Sequence, residues 1–73
     1  MDAANKETVS CARFVELLND ELRRDPGYRP GMYFVHVGTG YDFVAPMFTM
    51  IEKAAMDKAI FDRVSIKYTI LKP

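Results

Sequence analysis

Met32-Tyr33-Phe34-Val35-His36-Val37, bounded by Gly31 and Gly38, is the stretch that decides the fold class. Aromatic and β-branched residues dominate it and glycines punctuate both ends, a pattern that predicts a strand. Tyr33, Val35 and Val37 form one face and Met32, Phe34 and His36 the other. Both faces are largely apolar, so the strand is expected to be covered on both sides. Gly38-Thr39-Gly40-Tyr41-Asp42 reads as a loop. Phe43 and Val44 either extend it or open the next element. A short third strand around 41–44 is the variant that makes the arrangement antiparallel.

On the N-terminal side, residues 7–24 predict an amphipathic helix. Cys11, Phe14, Val15, Leu18 and Leu22 fall on one face, widened by Leu17. Arg13, Glu16, Asn19, Asp20, Arg23 and Arg24 take the polar remainder. Asn5 or Thr8 is placed to cap its start. Asp25-Pro26-Gly27 ends it, because Pro26 cannot continue a helix and disfavours the helical conformation at Asp25. Pro30-Gly31 adds a second turn signal around Tyr28 and Arg29.

On the C-terminal side, residues 45–62 predict a second helix with Pro46 in its first turn. Met47, Phe48, Met50, Ile51, Ala54, Ala55, Ala59 and Phe61 cover about half its circumference, and Met56 and Ile60 fall outside that sector. Residues 64–71 then alternate as a strand, with Val64, Ile66, Tyr68 and Ile70 inward and Ser65, Lys67 and Thr69 outward.

These elements give an α+β fold. We expect a small two-layer domain in the order helix-strand-helix-strand, with helices packed on one face of a small sheet. Seventy-three residues make one domain, 1–73, with 1–6 expected to be a flexible N-terminus. If the two strands are parallel neighbours, their crossover is right-handed. Two strands alone are marginal, and so small a core usually needs a staple. One cysteine excludes an intrachain disulfide, and one His with one Cys lacks the paired spacing of a structural zinc site. Association is the remaining route. It predicts a homodimer, either through a continuous four-stranded sheet or through second helices packed across a two-fold axis.

Ten acidic against ten basic residues leave no net charge, which disfavours a nonspecific nucleic-acid binder. At 49% hydrophobic the chain is too apolar to remain disordered. A lone cysteine, no signal peptide and no bilayer-length apolar run make the cytoplasm the expected location, away from membranes.

No catalytic, metal or cofactor signature stands out, and no enzyme activity or cofactor is expected. His36 lacks an assured carboxylate partner, Asp42 being the nearest acid downstream. Cys11 sits on an apolar helical face, as a small hydrophobe does. Gly38-Thr39-Gly40 lacks the spacing of a phosphate-binding loop. The expected function is therefore noncatalytic binding of another protein, as in short regulators, inhibitors and adaptors, including products of mobile elements. Arg24, Tyr28, Arg29, Tyr41, Met56 and Ile60 are the expected partner-binding residues, on the excess apolar surface and the Arg-Tyr loop. Met47, Met50 and Met56 could also form an adaptable docking surface, although core or dimer packing explains them more simply. One alternative is a small-molecule binder or minor enzyme with a pocket near His36 and residues 38–42. A weaker one is nucleic-acid binding through Arg23, Arg24 and Arg29.

Overall fold

The computed structural model of the chain describes residues 6–71. The central strand is β2, Tyr33–Val37, and it pairs antiparallel with β3, Gly40–Val44. Gly38 and Thr39 alone connect them, so the expected loop over 38–42 is a two-residue turn and the optional third strand is present. Gly38 has φ of 57° while Thr39 is not left-handed. A positive φ at the first central position only is the pattern of a II′ hairpin turn, whose twist suits the flanking strands. Strand pairing therefore resumes at Gly40, ahead of the aromatic residues that mark a strand in the sequence.

The first helix, α1, spans Cys11–Arg24. Its cap is Ser10, whose hydroxyl accepts from the Arg13 N–H at 3.1 Å. Thr8 does not cap it; Thr8 lies in a short strand, β1, Glu7–Val9. Asn5, the other expected cap, lies outside the described residues. The helical face is as read: Phe14, Val15, Leu18 and Leu22 are buried. The stop is also as read. Asp25 N–H bonds to the Leu22 carbonyl, and the Asp25 carboxylate accepts from the Gly27 N–H at 2.7 Å.

The second helix, α2, spans Met50–Ser65 and so starts later than the apolar pattern indicates. Thr49 caps it by accepting from Glu52 N–H, while the Glu52 carboxylate accepts from Thr49 N–H at 2.9 Å. This reciprocal box satisfies two backbone donors that a helix start otherwise leaves open. Pro46 lies before the helix. At the other end α2 runs through Val64, and the last strand, β4, is only Tyr68–Ile70. The alternation over 64–71 mixes two structures. Val64 is buried together with Ile60, four positions earlier on one helical face, whereas Ile66 is 70% exposed.

β4 pairs in parallel with β1, with Val9 opposite Ile70. The two strands flanking α2 are thus not neighbours, so the conditional right-handed crossover between them does not arise, and the described residues form two separate two-stranded sheets. The fold is α+β. α1 is its hub, packing against β2, β3, α2 and β4. The core joins Val9, Phe14, Val15, Leu18, Leu22, Met32, Phe34, Phe43, Ala45, Ile60 and Val64. Aromatic rings stitch hairpin to helices: Phe43 stacks on Phe34 at 4.5 Å, Phe34 meets Tyr41 edge-on at 5.5 Å, Tyr41 lies 6.2 Å from Phe61, and Phe61 lies 5.6 Å from Phe14.

The helices cover only one face of the hairpin. Phe34 and Phe43 are buried, whereas Tyr33, Val35 and Val37 on the opposite face are exposed. The expectation of cover on both sides is corrected here, because two helices of one small domain supply a single covering layer. Among the described residues, no helix is long and apolar enough to cross a membrane.

Candidate interaction surface

The two-residue turn fixes which peptide groups of the hairpin point outward. Val37 and Gly40 close it as a hydrogen-bonded pair, so Val35–Asp42 and Tyr33–Val44 are hydrogen-bonded pairs as well. The alternate pairs, His36–Tyr41 and Phe34–Phe43, direct their N–H and C=O groups away from the partner strand. On the β2 side, α1 meets this demand. Asn19 accepts from the Phe34 N–H at 2.7 Å and donates to the Phe34 carbonyl at 3.0 Å. A side-chain amide thus replaces one rung of a sheet ladder and occupies the middle of that edge.

The β3 side differs. The Phe43 N–H is taken by the carboxylate of its own neighbour Asp42 at 3.0 Å. Tyr41 N–H donates to no described residue, and Tyr41 C=O and Phe43 C=O accept from none. A groove of about 320 Å³ lies at the Asp42–Val44 end of β3, lined by Asp42, Phe43, Val44, Ala45, Pro46, Phe48, Met50 and Lys53. Consecutive residues from opposite faces of β3 line it together and β2 contributes none, which places it on the outer edge.

Across Phe48 a second groove of about 470 Å³ lies between residues 25–29 and α2, with Asp25, Gly27, Arg29, Glu52, Ala55, Met56 and Ala59 in its walls. The Arg29 guanidinium sits 6.0 Å from the centre of the Phe48 ring. At its far end Arg63 donates to Asp25 at 2.7 Å. That bond and, more strongly, the Gly27 N–H hold the Asp25 carboxyl below the usual carboxylate range. Met50, on the wall of the first groove, and its neighbour Ile51 lie in the first turn of α2, 87% and 83% exposed.

The expected partner-binding residues are divided by this geometry. Arg29 and Met56 line the same groove. Tyr28 is half-buried and packs against the core. Arg24 is exposed at the end of α1 with Glu21 at 3.7 Å. Tyr41 is half-buried, with its hydroxyl donating to Asp57 at 3.0 Å; burial first, then that bond, raise its phenol above the ordinary tyrosine value. Ile60 is 0% exposed and belongs to the core, which corrects its placement on the surface. The apolar sector read for α2 is turned: its deep side is Ile60 and Val64, and Met50 and Ile51 face out.

For the alternatives, strand alternation puts His36 with Tyr41 on one hairpin face and Asp42 with Val35 on the other, so His36 and Asp42 are not paired. Gly38 and Thr39 form the hairpin turn, and it leads into a strand rather than a helix. Cys11 lies beside this turn, its Sγ 3.4 Å from the Gly40 carbonyl. Arg23 is engaged by Asp20 within α1, so Arg23, Arg24 and Arg29 do not form an unopposed basic stripe. Among the described residues, no group of three or more His, Cys, Asp or Glu side chains could hold a metal ion.

Sequence reasoning did not single out Phe48, Ile51 or Lys53 as partner-contacting residues, and offered Met50 only within a methionine docking surface that core or dimer packing explained more simply. The signal for the helix start was Thr49-Met50-Ile51-Glu52, a capping-box pattern that starts the helix at Met50 and leaves Met47 and Phe48 outside it. In comparisons with protein-family models, curated proteins and solved structures, no match to the chain was found.

Proposed function

We propose that this chain is a small noncatalytic protein-interaction module that binds another protein through the surface around the start of α2. One observation carries the reading: Met50 and Ile51 stand almost fully in solvent at the start of α2, beside a groove that Met50 itself helps to line. Single exposed apolar residues are ordinary. Neighbouring ones, rigidly presented by a capped helix turn and flanked by concave apolar surface, are what a partner can bury. Each such side chain contributes roughly 1.5–3 kcal/mol when fully covered. A regulator, inhibitor or adaptor acting in a reducing compartment such as the cytoplasm fits this surface and the lone cysteine.

The test compares wild type with the Met50→Glu, Ile51→Glu double variant as targets for selection from a displayed random-peptide library. Acidic residues suit a helix N-terminus, so the variant retains the fold. Selected peptides should bind wild type and lose at least tenfold in affinity on the variant. Failure to enrich any peptide, or enrichment that ignores the substitutions, refutes the proposal. Light scattering across a concentration series gives the form of the partner: twice the chain mass identifies a second copy, and the single-chain mass identifies another protein.

A further inference from the structure

We infer that an extended segment of a partner protein adds to the outer edge of β3 as a third strand, lying in the groove between β3 and the first turns of α2, with a lysine or arginine opposite Asp42. The inference rests on the proposed binding function and specifies its mode. Three observations lead to it. The first is the asymmetry of the hairpin edges. On β2, Asn19 has already taken both outward groups of Phe34. On β3, Tyr41 offers a donor and an acceptor and Phe43 an acceptor, none of them bonded to a described residue. A strand docking here gains main-chain hydrogen bonds that the described residues do not use.

The second is the shape of the neighbouring surface. The groove adjoins the Asp42–Val44 end of β3, and Phe48 and Met50 line it together with those residues. An added strand sits about 4.8 Å from β3, within reach of those side chains, and its alternate residues face them. Backbone pairing alone is sequence-blind, so these apolar walls supply selectivity for alternate apolar positions.

The third is charge. Asp42 folds its carboxylate onto the Phe43 N–H, the donor an incoming strand must use. A cationic side chain directly across from Asp42 draws that carboxylate outward and releases the N–H, exchanging one bond for an ion pair plus a ladder bond. The same feature argues against a second copy as the occupant. The two-fold register that uses both outward-facing residues of each β3 strand centres on Asp42. It sets two carboxylates directly opposite, which is destabilising.

The probe is an acetylated and amidated heptapeptide of alternating valine and lysine, titrated into the ¹⁵N-labelled full chain. Two versions N-methylated on alternate sets of amides and one version with glutamate in place of lysine serve as controls. Strand addition predicts amide shifts concentrated at 41–44 and 50–53 and slowed hydrogen exchange at the Tyr41 N–H. One methylation set should abolish binding while the other spares it. The glutamate version should bind at least tenfold more weakly, and Asp42→Lys should reverse that preference. No binding of the valine–lysine probe, shifts centred on Tyr33, Val35 and Val37, or equal binding by both methylated versions overturns the inference. The broader reading fails separately: library peptides that lose affinity on Met50→Glu, Ile51→Glu yet tolerate both methylation sets keep the binding function and discard strand addition.

Discussion

Replacing Asn19 with alanine removes two hydrogen bonds at once and leaves both outward groups of Phe34 without partners. Asn19 and these backbone groups are partly buried, so water restores only some of the loss. At about 1 kcal/mol net for each bond, with a further penalty for incompletely solvated groups, the cost is about 2–3 kcal/mol. For a domain of this size 1 kcal/mol moves the midpoint by roughly 4–8 °C, so Asn19→Ala should melt roughly 8–24 °C below wild type. Asn19→Asp gives a sharper comparison. Its carboxylate still accepts from the Phe34 N–H, but sets an oxygen against the Phe34 carbonyl where the amide donated. It should therefore be no more stable than alanine at neutral pH and recover partly as the carboxyl is protonated. Thermal and urea unfolding followed by circular dichroism give the free energies, and hydrogen exchange at the Phe34 amide reports the edge directly. Asn19→Ala within about 0.5 kcal/mol of wild type, a threshold set by ordinary surface substitutions, would refute the assignment of Asn19 as the clamp on β2.

The helix ends give two further stability predictions. Asp25 has a folded pKa below its unfolded value of about 3.8, so its stabilising contribution is present above that pH and is lost as pH falls through the folded value. Asp25→Asn should cost about 1 kcal/mol at neutral pH and flatten the acid limb of a stability profile; an unchanged limb would contradict this. Thr49→Ala, which removes the cap of α2, should destabilise by about 1 kcal/mol in urea melts, and Thr49→Ser should restore most of it. Equal stability of the alanine and serine variants would show that the capping box does not hold the helix start.

Both ends of α2, Met50 and Ser65, differ from those that periodicity suggested, and its buried face, Ile60 with Val64, crosses the boundary read between helix and strand. Periodicity marks where apolar residues recur, and from Phe43 to Phe61 they recur almost everywhere. With Val64 read as the start of a strand, the face it shares with Ile60 four positions earlier goes unseen, and Ile60 falls outside the apolar sector although it is fully buried. The local chemistry of Thr49 and Glu52 was the better guide, because backbone donors at a helix start must be satisfied wherever the apolar stripe lies. Asn19 shows the complementary blind spot. A polar residue beside an apolar stripe reads as solvated, and its pairing with Phe34 exists only once α1 is laid along β2.

The sequence by itself determined the α+β class, the buried face of α1 and its stop at Asp25-Pro26-Gly27, and the strand at Tyr33–Val37. These depend on side-chain period and on backbone restrictions that act within a few residues. Tertiary structure alone decided that β4 pairs with β1, that the hairpin is covered on one face, and that Met50 and Ile51 face solvent while Ile60 is buried. It also decided that one hairpin edge is closed by Asn19 while the other retains groups with no partner among the described residues. Strand partners and edge cover are set by which distant surfaces meet, and that competition is settled by the burial of the whole core around α1.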